Sequence, residues 1–539
     1  MTAGFERRDL GPEGVLIVGA GVAGLCAALH LEPLPVTVLT AAPMGAGGAE
    51  GSSIWAQGGV AAALGPDDDP EAHRDDTIAA GAGLVDETAA GLLAREAPRA
   101  VRDLEAFGAP FDRAPDGTYS LGLEAAHGRA RIAHASGDRA GAAIMAALTA
   151  AARRAPHIRI LEGWAAEDAL LGGSSVSGVL AAEVGTGRRT AFSAGETILA
   201  TGGLGGLFAV TTNPPSAQGH GLAIAARAGA RLADMEFVQF HPTAIDVGRD
   251  PAPLATEALR GAGAALIDKN GVRFVERRHP MAELAPRDIV ARAVEAQHSA
   301  GAGAFLDCRE AIGAAFAGRF PTVFAACRDA GIDPAREPIP VRPAAHYHMG
   351  GVETDLQGAS TVPGLWACGE VACTGLHGAN RLASNSLAEA AVFARRIAEA
   401  IKARIGQRRY GVAAPAADRL AMAPKPAPAE ALKPLRAAMS QHAGLLRNEA
   451  GMAALADQIA EMRTGHPLTS GLLNALIAAE CLVRAARARR ESRGGHYRED
   501  YPESDQRYRR RTAQTLKGPV DNIKPQPAPR TPQRALETQ

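Results

Sequence analysis

The chain has 539 residues, with 57 Lys and Arg against 58 Asp and Glu and a formal net charge of −1. At about 150 residues per domain the length suits roughly three domains, and the balanced charge excludes any overall field that would draw the chain to nucleic acid or anionic lipid. With 47% hydrophobic residues, 21% charged and 61 glycines, the composition is that of a globular protein with many close backbone approaches, not of a disordered one.

The first predicted element is an apolar run near the N-terminus, residues 15–31, preceded by Arg7 and Arg8. Its glycines exclude a signal peptide or membrane span. Residues 15–24 read VLIVGAGVAG, a β-branched strand feeding Gly19, Gly21 and Gly24 at G-x-G-x-x-G spacing and then an Ala/Leu-rich helix. The first glycine permits a tight turn, the second lets the backbone approach a pyrophosphate, and the third packs helix on strand with the helix N-terminus facing the anion. A dinucleotide is therefore expected here. The next apolar run, 36–39, ends at Thr40, where the acid that often grips an adenosine ribose is missing, so NAD and FAD both stay open at this point.

Two later segments favour FAD. TILATGG at 197–203 is another strand running into Thr201, Gly202 and Gly203, and GLWACGE at 364–370 brings a strand to a glycine and an acid. There Glu370 can accept hydrogen bonds from ribityl or ribose hydroxyls. Together the segments make one split nucleotide-binding domain. The six cysteines (Cys26, Cys308, Cys327, Cys368, Cys373, Cys481) lack the short regular spacing of a disulfide framework or a zinc site, which suits a reducing cytoplasm. The pairs Cys368/Cys373 and His346/His348 read as ordinary residues, and no metal is expected.

AQGG at 56–59, QFHPTA at 239–244, TEALRGAGA at 256–264, ELAPRDIVARA at 283–293, AAHYHMGGV at 344–352 and GANRLASNSL at 378–387 occur in that order. On these motifs the chain, from about residue 14 to about 505, resembles the succinate dehydrogenase and fumarate reductase flavoprotein family. Within it the chain is most similar to the aspartate-oxidising branch. Respiratory members resemble S-H-T-x-A-A-Q-G-G, whose His carries a covalent flavin bond; here GSSIWAQGG at 51–59 puts Ser52 at that place. The resemblance thus implies noncovalent FAD, held in addition by Ser52, Ser53, Gln57, Gly58 and Gly59 and by Asn385, Ser386 and Leu387. It also matches Glu124 to the acid that the aspartate-oxidising branch places near a substrate amine, and it puts Gln239 beside the substrate.

A dicarboxylate site needs fixed cationic or hydrogen-bonding groups at both ends. Arg381 offers a planar fork for one carboxylate, and His241 and Thr256, with His346, suit the other. The resemblance makes Arg287 the proton-delivering residue of fumarate reduction. A guanidinium, with a pKa above about 12, is a poor base, so charge stabilisation during amine oxidation is an equal reading. Plainer alternatives are an ion pair or cap between Arg287 and Asp288 after Pro286, a loop brace for Arg381, a solvated Glu124, and a charged surface formed by His127, Arg129 and Arg131. The family's Gly-Asp-Gly is Gly219, His220, Gly221 here, so a carboxylate expected on the flavin side is absent.

The expected fold class is an α/β FAD-binding Rossmann-like domain with an inserted α+β capping domain and a C-terminal helical bundle. Residues 1–234 and 349–404 form the FAD domain, 235–348 the cap, 405–430 a Pro/Ala linker, 431–519 the helical domain and 520–539 a disordered tail. Ten arginines interleaved with five acids over 484–511 read as a solvated face. The resemblance implies L-aspartate as substrate, O2 or fumarate as electron acceptor, and a quinolinate synthase downstream in NAD biosynthesis. The alternatives are a soluble fumarate reductase, a succinate dehydrogenase flavoprotein subunit, and a silent flavin-binding scaffold.

Overall fold

A computed structural model of the chain describes residues 5–44, 51–407, 410–465 and 467–523. Its centre is a five-stranded parallel sheet in the spatial order Leu365–Ala367, Glu196–Leu199, Val15–Val18, Val36–Thr40, Ile158–Glu162. Val15 to Val18 are all buried, the pattern of a strand covered on both faces. Helices Val22–His30 and Asn385–Arg404 pack together beside it, so the apolar run 15–31 is a strand, a turn and a helix. Among the described residues no helix is long and apolar enough to cross a membrane.

The glycine turn is dictated sterically. Gly19 has φ of +111°, and a Cβ there would stand 2.2 Å from the Ala200 carbonyl oxygen; a Cβ on Gly24 would stand 2.0 Å from the Gly19 oxygen. Neither position admits a side chain, and the helix therefore starts at the C-terminal edge of the sheet with its N-terminus open to the cleft.

Residues 245–341 supply a separate apolar core, containing Leu266, Val290, Val294, Leu306, Phe316 and Val341. Its sheet runs Val238–Ile245, Ile339–His348, Phe305–Asp307, Ala265–Ile267, with helix Arg287–Ser299 against it. Asp138, from the first part of the chain, reaches this unit: its carboxylate accepts from the Thr322 amide at 3.0 Å, the Thr322 hydroxyl at 2.9 Å and the Val323 amide at 3.3 Å. It thereby caps helix Pro321–Asp329 from across the cleft.

The expected C-terminal helices, Ala429–His442, Glu449–Gly465 and Ser470–Ala488, form and pack onto the central sheet, sharing one core with it. The chain then forms Thr512–Gln514 and Val520–Asn522, which extend a sheet through Leu232–Ala233. The expected disordered tail thus begins with a strand; residues from 524 on lie outside those described. The arginine-rich stretch is not uniformly solvated either. Arg489 and Arg498 are 1% and 0% exposed, because Glu236 and Glu491 pair with the former and Asp500 with the latter. Arg507, Arg509 and Arg510 are exposed.

Candidate active site

One cavity of about 2070 Å³ opens along the C-terminal edge of the central sheet and continues to residues of the 235–348 unit. Gly19, Gly21, Thr40, Ser52 and Ser53 line it, as do Gln57, Gly58, Gly59, Thr201, Gly202 and Glu370, with Ser386 and Leu387 further along. Gly24 packs inside the turn instead. Asn385 does not line the cavity: its Oδ1 bonds His73 Nε2 at 2.8 Å and its Nδ2 donates to the Thr77 hydroxyl at 3.0 Å. Both ends of this side-chain amide are committed to the protein.

The empty polar atoms fit FAD. Among the described residues, nothing hydrogen-bonds to the buried Thr201 Oγ1 and Gln57 Oε1, a costly state unless a ligand supplies a partner. A Cβ on Gly202 would meet nothing within 4 Å, leaving room for close approach. Glu370 Oε1 accepts from the His348 amide at 2.9 Å, and burial pushes its carboxyl up to about 7. Ser53 Oγ accepts from the Val22 amide at 3.2 Å, at the helix N-terminus where a pyrophosphate is expected. His220 stands half-buried at the start of helix His220–Arg227 and lines the same cavity; burial lowers its pKa to about 4, so it supplies no charge in place of the missing Asp.

Arg287, His241, His346, Thr256, Arg381 and Glu124 converge on the far part of the cavity. The two histidines come from paired antiparallel strands, and their rings stand 5.0 Å apart. Register jumps from Gln239 opposite Tyr347 to Phe240 opposite Ala345. His346 is thus the extra residue of a bulge, which re-aims its side chain. Thr212 Oγ1 holds its Nδ1 at 2.8 Å. Burial, followed by the nearby Arg287, takes both imidazoles well below their ordinary pKa. Both are neutral at pH 7. The Thr243 amide donates to His241 Nδ1 at 3.3 Å, which places the proton of that neutral ring on Nε2.

Gln239 is buried behind the cavity. Its Oε1 accepts from Arg287 Nη1 at 2.9 Å and from Arg381 Nη2 at 3.2 Å, so it spaces two guanidiniums. Arg287 pairs not with Asp288 but with Glu257, at 2.8 and 2.5 Å; Asp288 pairs with Arg292. Glu257 also accepts from Arg260 at 2.6 Å. Burial alone would raise the Glu257 carboxyl, but the two guanidiniums overcome it and hold it at about 2. Neither Glu257 nor Arg260 was singled out from the sequence, although both stand in the TEALRGAGA motif and an i, i+3 acid–base pair at a helix start was the available signal.

Glu124 is 3% exposed, not solvated; its Oε2 accepts from the Ser384 hydroxyl at 2.7 Å. Ser384, at φ +59°, also accepts from the Gly59 amide at 3.4 Å and so ties Glu124 to the AQGG loop. His127 and Arg131 are buried as well. Arg131 pairs with Asp68 and Asp76, and only Arg129 of the three is exposed.

Comparison with known proteins agrees with this geometry. A family model described as FAD binding domain matches residues 14–387, and one described as fumarate reductase flavoprotein C-term matches 468–529. An L-aspartate oxidase of Caulobacter vibrioides is 53% identical over 498 residues, covering 92% of this chain and 94% of the relative. One of Streptomyces coelicolor is 47% identical over 521 residues, covering 91% and 89%. Among solved structures, the FrdA of E. coli quinol fumarate reductase has a TM-score of 0.86 at 29% identity, covering 97% of this chain and 99% of that one. Sdh1 of Mycobacterium smegmatis has a TM-score of 0.81 at 32% identity, covering 96% and 94%.

Proposed function

The chain belongs to the L-aspartate oxidase branch of the succinate dehydrogenase and fumarate reductase flavoproteins and is an FAD-dependent oxidoreductase, and from that premise we propose that it oxidises L-aspartate to iminoaspartate. Gly19, Gly21, Ser53, Thr201 and Glu370 would hold FAD, noncovalently because Ser52 cannot form the histidyl link, and FAD would supply the hydride acceptor for the substrate Cα–H, with O2 (to H2O2) or fumarate (to succinate) as the final oxidant. In the cell, we infer, the imine feeds NAD biosynthesis through a quinolinate synthase in the cytoplasm; the six free, buried thiols suit a reducing compartment.

The residues divide the recognition between them. Arg381 holds one substrate carboxylate through its planar fork. His241, with its proton on Nε2, donates to the other carboxylate beside Thr256, and His346 flanks them. Glu124 accepts from the ammonium. Arg287, fixed by Glu257 and Gln239, stabilises charge as the hydride leaves; in the fumarate direction it gives a proton to carbon, and the hydrogen bonds through Glu257 to Arg260 provide the route by which that proton is replaced. The observation that carries the aspartate reading is the buried Glu124 carboxylate, which, unlike Glu257 between Arg287 and Arg260, has a hydroxyl and no guanidinium as its hydrogen-bond partner. A dicarboxylate without an amine gains nothing from it and is repelled.

The test is anaerobic flavin absorbance of FAD-loaded protein mixed separately with L-aspartate and with succinate. Bleaching by aspartate supports the reading. Bleaching by succinate alone would move the protein to the fumarate reductase or succinate dehydrogenase group, and bleaching by neither would leave a silent FAD scaffold.

A further inference from the structure

Arg381 is 4% exposed and, among the described residues, no carboxylate pairs with it; its guanidinium donates to the Ser386 hydroxyl at 2.9 Å and to Gln239 Oε1 at 3.2 Å, and its Nε has no partner. Burial and the neighbouring Arg287 lower its pKa to about 10. A desolvated cation this close to a second one needs compensation from elsewhere. The Tyr347 ring lies under the guanidinium, 4.5 Å from carbon to ring centroid. Tyr347 is itself 6% exposed and sits opposite Gln239 in the strand pair.

Behind the ring is a polar cluster that takes no part in the site described above. The Tyr347 hydroxyl donates to Glu389 Oε2 at 3.2 Å and lies 3.3 Å from His377 Nε2. His377 Nε2 contacts the same carboxylate oxygen at 2.8 Å, and the Thr374 hydroxyl donates to the other at 2.7 Å. Glu389 is 1% exposed. A carboxylate accepting from a phenol draws its proton and raises the electron density of the ring, which strengthens attraction to a cation over its face.

We propose that Tyr347 is a positioning residue for carboxylate recognition: its ring sets the plane of the Arg381 guanidinium, and Glu389 and His377 hold the ring from behind. This rests on reading Arg381 as the group that binds a substrate carboxylate. Arg381 then presents its fork to an incoming dicarboxylate without first ordering its side chain, and Gln239 and the ring fix it on two sides.

The experiment compares FAD-loaded wild type with Tyr347→Leu, Tyr347→Phe and Glu389→Gln. Malonate, a dicarboxylate with neither two adjacent CH groups nor an amine to dehydrogenate, is titrated against the flavin spectrum, and KM and kcat are measured with L-aspartate. Losing the ring is expected to weaken malonate binding and raise the aspartate KM about tenfold, or about 1.4 kcal/mol, with bound FAD unchanged and kcat within about twofold. Tyr347→Phe restores most of the loss, and Glu389→Gln weakens binding about threefold. Malonate affinity and KM in Tyr347→Leu equal to wild type would overturn the inference, as would Tyr347→Phe failing as badly as Tyr347→Leu. Should the leucine variant not fold, Tyr347→Met, similar in volume and without a ring, is read in the same way. If aspartate does not bleach the wild-type flavin, the activity reading fails, while the malonate ranking still decides the role of Tyr347.

Discussion

Replacing Glu257 by Gln keeps the shape of the side chain and removes the charge between two guanidiniums. The carboxyl is held at about 2 instead of an ordinary 4.5, and at 1.36 kcal/mol per unit the native arrangement favours the charged form by about 3 kcal/mol. Removing one partner of a buried pair strands the other, with a typical loss of about 3–5 kcal/mol. Glu257→Gln is therefore expected to lower stability by roughly that amount at pH 7, followed by urea unfolding with the cap reported by a probe on helix Arg287–Ser299. Because the folded pKa is depressed, the contribution is complete above the unfolded value and is lost as pH falls from about 4.5 towards 2. Linkage leaves about 1.4 kcal/mol of it at pH 3, so the gap between wild type and variant should shrink by about 2 kcal/mol between pH 6 and pH 3. A gap that is absent at pH 7, or that does not change on acidification, would refute the reasoning. In this variant a single amide oxygen and an NH2 group replace the two oxygens shared by Arg287 and Arg260, so one guanidinium loses its acceptor and both lose the charge, and kcat should fall at least tenfold.

Three further outcomes are expected. Glu124→Gln should raise the KM for L-aspartate about tenfold while leaving fumarate reduction equal or better, measured by steady-state kinetics in both directions, since only the amine loses its partner. Arg381→Lys keeps the charge but loses the fork and the ring stacking, so kcat/KM for aspartate should drop on the order of a hundredfold or more with FAD still bound, checked by stopped-flow flavin reduction. Asp138→Ala removes the cap of helix Pro321–Asp329 from across the cleft and should cost about 1 kcal/mol; calorimetry should show a lower melting temperature, and limited proteolysis a faster-cut 316–330 region.

The glycine turn was legible in the sequence because backbone sterics leave no choice at Gly19 and Gly24. The strands feeding Thr201 and Glu370 were legible for a related reason: short apolar runs ending at glycine are what the edge of a parallel sheet requires. Pairings over long sequence distance were not. Arg287 had an adjacent acid in Asp288, and only the fold brings Glu257 closer. Asn385 looked available until the fold supplied His73 and Thr77 as partners more than 300 positions away. The aim of His346 depends on a one-residue bulge, which a strand pattern does not encode locally. The arginines of 484–511 looked exposed because a sequence gives charge and spacing, whereas burial depends on whether Glu236, far upstream, meets Arg489.

That last meeting bears on how the chain is made. Asp234 and Glu236 stand where the chain leaves the nucleotide-binding half, and both are buried. Their partners are Arg511 and Arg489, with the Arg447 guanidinium on the Glu236 carbonyl. The strand Leu232–Ala233 likewise receives Thr512–Gln514 as its neighbour. During synthesis the first half of the molecule therefore emerges with two acids whose counter-charges are some 250 residues behind it. A chain cut after residue 488 would lack Arg489 and Arg511 and so leave the buried Glu236 and Asp234 without their counter-charges.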